Sequence, residues 1–374
     1  MKPVTVDLIE HAIASAFPPE WAEEWDRVGL LAGDPARQVT GVALALDPTH
    51  AAIAECVRLG ANVLVTHHPA FLTPPESIRP GRGAGGVVFS AVNSGVALIN
   101  AHTNLDRAPG VGALLATALG LRVSEPIDRR AMPMALVTVF VPAPSAQQVI
   151  DAMLQAGAGR IGDYHGCSFT SSEGEGSFVP GPDAAPRIGV EGDRARVAEV
   201  RAEVVAPRSR VREVVSAARA AHPYEEPLIV IANVEIARGS ARMGMLCVPS
   251  GPLTLEELAE TASASFGITP RVWGAPGSPL TRVATATGSA GSLIGDALAA
   301  GAQALVAGEV RYHDALNAVE AGLCIVEVGH DVSEWPLVSL LESTVRTIGG
   351  LDPGAIHMLS SEPGWWTPRQ GRPA

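Results

Sequence analysis

The apolar run Ala61-Asn62-Val63-Leu64-Val65 closes on Thr66-His67-His68-Pro69, and this junction restricts the fold more than any other stretch of the chain. A short, continuously apolar run reads as a strand buried on both faces, as in the parallel sheets of α/β proteins. Such sheets bind ligands outside the carboxyl ends of their strands, so two adjacent imidazoles stand where a ligand belongs. Two later apolar runs end similarly, one at His102-Thr103-Asn104-Leu105-Asp106 and one at Gly329-His330-Asp331-Val332-Ser333-Glu334. Imidazole is the commonest metal ligand near neutral pH. The three ends together suggest a metal site drawn from both ends of the chain.

Composition narrows the alternatives. At 374 residues and 47% apolar content, the chain suggests two or three domains with ample material for their cores. Asp and Glu number 39 against 27 Lys and Arg, a formal charge of −12 without a local basic patch, which argues against a nucleic-acid partner. Lys2 is the only lysine, which excludes a P-loop lysine, a core Schiff base and a pyridoxal-phosphate anchor. There is no Gly-x-Ser-x-Gly elbow, and Cys56, Cys167, Cys247 and Cys324 lie too far apart for a zinc ribbon or a redox pair. Met1 to Glu10 lacks a signal-peptide pattern and no apolar run has the length of a membrane span, so the cytoplasm is the expected compartment.

The periodicity sets out three regions. Residues 1–125 read as an α/β half, with a helix over 5–17, a strand over 39–46, a helix from Asp47-Pro48-Thr49 to Leu59, and the strands that deliver His67-His68 and His102. Gly81-Arg82-Gly83-Ala84-Gly85-Gly86 satisfies a dinucleotide-binding pattern but follows Pro80 instead of a strand, and reads as chance within a Pro/Gly-rich loop. Residues 126–249 read as an inserted α+β domain of ferredoxin-like order, with strands at 134–141, 197–206 and 228–236 and a polar Gly/Ser stretch through 182. Residues 250–374 resume the α/β rhythm, and Glu334 is expected to open the last helix; the tail after Ser360 has no periodicity and is expected to be loose.

Taken singly, each candidate residue has a plain reading. Neighbouring strand residues point to opposite faces, so His67 and His68 converge only from a loop, and Asp106 in Leu105-Asp106-Arg107 suits a solvated cap. His330 and Glu334 share a helix face if the helix begins early enough; otherwise Ser333 caps it and Glu334 serves the dipole. The coincidence of three strand ends favours a metal site at His67, His68, Asp106, His330 and Glu334. These donors exceed the three of a single catalytic zinc ion and suit two ions bridged by Asp106 or Glu334, an arrangement made for hydrolysis. His102, Glu309, His313 and Asp331 are candidate orienters or proton shuttles, with His102 and Glu309 assigned to catalysis, against a plain role as polar loop residues. Gly288-Ser289-Ala290-Gly291-Ser292 either presents backbone N–H groups to an anion or makes a tight packing turn. His222, Glu225 and Glu226, set among Pro223 and Pro227, read as a rigid turn in preference to a second metal site.

These motifs, with Trp25-Asp26-Arg27-Val28-Gly29-Leu30 and His222-Pro223-Tyr224-Glu225-Glu226-Pro227, occur in an order that resembles the dinuclear metal-centre family known as GTP cyclohydrolase 1 type 2, or Nif-three-like, from about residue 5 to 360. The resemblance implies two divalent ions (zinc, iron, manganese or cobalt) held by His67, His68, Asp106, His330 and Glu334. It implies a toroidal homohexamer and an insert similar to PII and CutA-type sandwiches, which would cap the toroid or sense an effector. The activity it implies is hydrolytic opening of the guanine imidazole ring of GTP by a metal-bound hydroxide. The competing expectations are a metal-trafficking or regulatory protein without GTP turnover, and a hydrolase of another small substrate. Arg27, Glu309 and the stretch Pro109-Gly110-Val111-Gly112 depart from the family's usual residues and bear on the substrate pocket.

Overall fold

A computed structural model describes residues 3–162, 164–237, 239–360 and 365. The sequence tail expected to be loose lies almost wholly outside the described residues. The chain divides into two compact units, residues 1–129 with 240–374, and residues 130–239.

In chain order the first part of the larger unit comprises α1 (Val6–Ala16), β1 (Gly29–Ala32), β2 (Val42–Ala45), α2 (His50–Arg58), β3 (Val63–Thr66), α3 (Ala84–Ser94), β4 (Ala97–Asn100), α4 (Thr103–Asp106) and α5 (Gly112–Ala118), followed by β5 (Arg122–Pro126). The smaller unit contains β6 (Met132–Pro142), α6 (Ala146–Gln155), β7 (Ser168–Thr170), β8 (Gly174–Phe178), β9 (Ala195–Pro207), α7 (Val211–Ala221) and β10 (Ile229–Ile236). The chain then returns through β11 (Met245–Val248), α8 (Leu255–Phe266), β12 (Arg271–Trp273), β13 (Val283–Ser289), α9 (Ile294–Ala299), β14 (Ala304–Glu309), α10 (Tyr312–Glu320), β15 (Cys324–Glu327), α11 (His330–Arg346) and β16 (Ile356–Met358).

The larger unit holds two sheets, ordered β1-β4-β3-β2-β16 and β12-β15-β14-β13-β11-β5. They are variations on one plan. Each has three consecutive parallel strands joined by helices, β2-β3-β4 in one and β13-β14-β15 in the other, and each adds an antiparallel strand beside the third, β1 or β12. In each a helix with a threonine at its N-cap position precedes the strands, and that threonine makes an isolated antiparallel bridge, Thr5 to Gln38 and Thr254 to Pro279. The central strands are apolar throughout, as burial on both faces requires: Val63, Leu64, Val65, Leu305, Val306, Ile325 and Val326 are fully enclosed.

Helix α11 packs against strands of both sheets, β2, β3 and β16 on one side and β13 and β14 on the other. Its Leu337, Val338, Leu341 and Val345 are buried with Val42, Leu44, Val63 and Val65, each such side chain contributing about 1.5–3 kcal/mol of transfer free energy. The helix begins at His330, four residues earlier than the pattern around Ser333-Glu334 suggested, because Gly329 adopts φ 101° and turns the chain directly from strand into helix.

The smaller unit is one antiparallel sheet, β10-β6-β9-β7, with β8 also on β9. Its strand and helix order is βαβββαβ, one strand more than the ferredoxin-like order because β7 and β8 both pair with β9, and α6 and α7 bury Val149, Ile150, Met153, Val214 and Ala218 with Val137, Val139, Val141, Ala202 and Val204 of the sheet. The strands β7 and β8 fall in the polar Gly/Ser stretch. The unit is narrower than the expected 126–249, because Met245–Val248 pairs with β13 and β5 in the larger unit.

Candidate metal centre

The three expected strand ends meet within the larger unit. His67 and His68 follow β3, Asp106 closes the single-turn helix after β4, and His330 and Glu334 occupy the first turns of α11. Their donor atoms fall into two clusters, His67 with Asp106 and Glu334, and His68 with His330 and Glu334, the members of each lying within 4.8 Å of one another. Glu334 belongs to both. Its Oε1 lies 3.6 Å from His67 Nε2, and its Oε2 lies 3.0 Å from His68 Nε2 and 3.1 Å from His330 Nε2. His67 Nε2 is also 3.8 Å from Asp106 Oδ2.

Proximity here is not hydrogen bonding. His67 Nε2 and Glu334 Oε2 are buried without a hydrogen bond of acceptable geometry despite these short separations. Buried polar atoms are almost always satisfied, so atoms that crowd together yet fail to pair face a common point. Imidazole nitrogens and carboxylate oxygens facing a common point are the donor set of a borderline transition-metal ion, and these residues fit one.

The supporting contacts are as specific as the donors. Thr287, just past the parallel part of β13, donates to Asp106 Oδ1 at 2.9 Å, and Ser333 accepts from the Gly288 N–H at 2.9 Å while donating to the His330 carbonyl at 2.8 Å. Gly288 is required: it has φ 59°, and a Cβ there would lie 2.0 Å from Glu334 Oε1. The loop at Gly288 is therefore a packing turn against the Glu334 carboxylate. Arg107, fully buried, is paired with Asp128 and Glu23 and anchors the turn that presents Asp106.

The electrostatics follow from burial and crowding. Burial opposes ionisation of Glu334, but the surrounding imidazoles prevail and hold its carboxyl well below the usual carboxylate range. Asp106 goes the other way: burial, aided by the Glu334 charge, outweighs His67 and raises it. For His68, burial works against the charged form, yet Asp47 and Glu334 raise it to about 10, and His330 rises to about 9 beside Glu334. Because imidazole and carboxyl donors must be deprotonated to ligate, a cation entering this cluster would displace protons from it.

Among the residues assigned to support, Glu309 accepts from, or pairs with, His330 Nδ1 at 3.1 Å, and His102 lies beside His67 and His68 with ring centroids 5.3 and 5.6 Å away. His313 is exposed and stacks edge-on to Tyr312, and Asp331 lines a groove with Trp335 on another side of α11; neither joins the donor clusters. Both nitrogens of His222 are engaged, Nε2 with the Phe140 carbonyl at 2.9 Å and Nδ1 with the Tyr224 N–H at 3.0 Å, so its ring fastens the turn in the smaller unit.

Four contributors escaped the sequence reading: Asp26, Asp47, Thr287 and Ser333. Asp47 pairs with His68 Nδ1 at 2.8 Å, and Asp26 with His102 Nδ1 at 2.8 Å. Asp47 stands just past β2 and Thr287 just past the continuously parallel part of β13, close to the signal that identified the histidines, whereas Asp26 has only the turn around the half-exposed Trp25 to mark it.

Residues 4–352 match the family described as Duf34/NIF3 (NGG1p interacting factor 3). The chain belongs to the NIF3 family. A Mycobacterium tuberculosis protein named GTP cyclohydrolase 1 type 2 homolog is 36% identical over 348 residues, covering 91% of each chain. A protein of the same name from Halalkalibacterium halodurans is 36% identical over 323 residues, covering 85% of this chain and 86% of the relative. Among solved structures, a Bacillus cereus protein related to NIF3 is similar at 33% identity and a TM-score of 0.63, covering 98% of this chain and 100% of that one. The NIF3 match spans both sequence halves that carry the donor clusters, and no helix among the described residues is long and apolar enough to cross a membrane.

Proposed function

We propose that this NIF3-family chain is a metal-dependent hydrolase with a two-ion centre at His67, His68, Asp106, His330 and Glu334. The observation that carries the proposal is the division of one carboxylate: Glu334 Oε1 faces His67, and Glu334 Oε2 faces His68 and His330. Two ions held there would lower the pKa of water and polarise an electrophile in the same site. The chain's own residues hold the donors in register: Thr287 fixes Asp106, Asp47 and Glu309 fix His68 and His330, and the enclosed β3 and β4 ends exclude water from the inner side.

The names of the relatives support GTP as the first substrate to test, with opening of the guanine imidazole ring as the reaction. GTP consumption by the metal-reconstituted protein, with Glu334→Ala and metal-free protein as controls, tests this directly. Turnover that vanishes in both controls is expected; turnover retained in Glu334→Ala removes the assignment. A second reading, metal handling without turnover, draws on the partial exposure of the outer cluster, where the His330 side chain is 35% and the His68 side chain 22% exposed. Two bound ions with no hydrolysis of GTP or of related small substrates favours that reading.

The proposal extends to assembly and compartment. We propose a toroidal homohexamer in the cytoplasm, with residues 130–239 as a PII/CutA-like insert whose antiparallel sheet, packed with two helices, suits a ferredoxin-like sandwich. Sedimentation of the full chain checks the hexamer.

A further inference from the structure

Four imidazoles surround the centre, and each has Nδ1 tied to an oxygen. His67 faces the Ala101 carbonyl at 3.0 Å, His68 faces Asp47 at 2.8 Å, His330 faces Glu309 at 3.1 Å, and His102 faces Asp26 at 2.8 Å. A ring held at Nδ1 by an acceptor is fixed in tautomer and orientation and keeps the Nε2 lone pair for a metal. Three of these rings belong to the two donor clusters. The fourth, His102, has a ring nitrogen within 4.8 Å of one on His67 and one on His68.

The repeated plan of the two sheets supplies an independent argument. His330 stands three residues past the third parallel strand of its set, opens a helix and precedes Glu334 by four residues; His102 stands two residues past the third strand of the other set, at the N-cap of α4, and precedes Asp106 by four. In both places a carboxylate from elsewhere in the chain holds Nδ1. Asp26 is itself well fixed: only 7% exposed, it accepts from the Thr103 N–H at 3.0 Å, from the Thr103 hydroxyl, and from the Arg27 N–H at 2.7 Å.

We propose that His102 is a sixth donor of the centre, its Nε2 directed at a divalent ion by Asp26, which acts as a positioning residue. The inference rests on the metal-centre reading above and deepens it by adding a donor and the residue that positions it. Four imidazoles with two carboxylates select a nitrogen-preferring transition ion such as zinc, cobalt or iron over magnesium or calcium, which take oxygen ligands.

The test is titration of the metal-free full-length chain with cobalt(II), reading bound cobalt per chain and the visible absorption of the ion, in wild type, His102→Gln, Asp26→Asn and His313→Gln. His102→Gln should weaken one position by at least about 100-fold and shift the spectrum, and Asp26→Asn by about 10-fold, the lower end for loss of an outer partner. His313→Gln, outside the clusters, should match wild type, and excess magnesium should displace nothing. Should His102→Gln fail to fold, as judged by metal-free thermal unfolding, Asp26→Asn carries the decision through its affinity. Wild-type affinity and spectrum in both Asp26→Asn and a folded His102→Gln overturn the proposal and leave the five-donor centre standing. Wild-type protein that binds no cobalt overturns both.

Discussion

The two sheets of the larger unit share a plan and load it differently. After its second parallel strand the N-terminal set places His67 and His68, whereas the C-terminal set ends its second strand on Gly308 and Glu309. Gly308 is dictated by space: a Cβ there would lie 2.5 Å from Ser333 Oγ and 2.6 Å from the Gly288 carbonyl. After its third strand the N-terminal set has a single helical turn, α4, that buries Asp106, while the C-terminal set launches the 17-residue α11. One half therefore supplies deep donors on short segments, and the other supplies the shared carboxylate on a long helix wedged against both sheets. Equivalent frames have been specialised, one toward buried donors and one toward the carboxylate that the two donor clusters share.

The sharpest way to break this comparison is Glu334→Ala. It removes the only atoms common to both clusters and should reduce metal affinity by more than about 100-fold, beyond the effect of losing an outer partner, with both ions lost together in metal analysis. Loss of one ion alone would show that the halves bind independently. Next in size is Gly288→Ala, which strains a left-handed residue and pushes a methyl group onto Glu334 Oε1; about 1–3 kcal/mol of stability should disappear in urea unfolding. Thr287→Val deletes the bond to Asp106 that links the C-terminal strand to the N-terminal donor, at a cost of about 0.5–1.5 kcal/mol in the same measurement.

The smallest effect is a pH dependence confined to metal-free protein. His68 and His330 have folded pKa values near 10 and 9, raised above the ordinary imidazole value of 6.5, so their contribution is complete below about pH 6.5. It fades as pH rises through 9 and 10, and the midpoint of thermal unfolding should fall across that window. Metal-loaded protein, whose imidazoles are already deprotonated, should lack this slope. Partial exposure of both rings keeps the change modest.

What the sequence displayed and what it hid differ by range of interaction. Strand ends were legible because a buried parallel strand must be apolar, and a histidine directly after one is conspicuous. The roles of Asp26, Thr287 and Ser333 were hidden because their partners stand far along the chain: Asp26 serves His102, Thr287 serves Asp106, and Ser333 serves Gly288. Strands β7 and β8 were hidden because Gly174-Glu175-Gly176-Ser177 carries no apolar alternation; β9 recruits them through backbone bonds. The start of α11 was misread because Ser333-Glu334 imitates a cap, whereas the turn is made by Gly329, whose φ only glycine adopts without strain.

Strands β5 and β11 lead out of and back into the larger unit as antiparallel neighbours, and beyond them the Ile127 N–H still bonds the Gly244 carbonyl at 3.2 Å. The exit and the return of the intervening hundred-odd residues are thus a hairpin's width apart. A segment attached at such a neck can be gained, exchanged or trimmed without altering the distance between the strands that hold it. The donors from residues 67 and 334 stay within reach of each other whatever the neck carries, so the donor clusters and the insert are free to evolve on separate schedules.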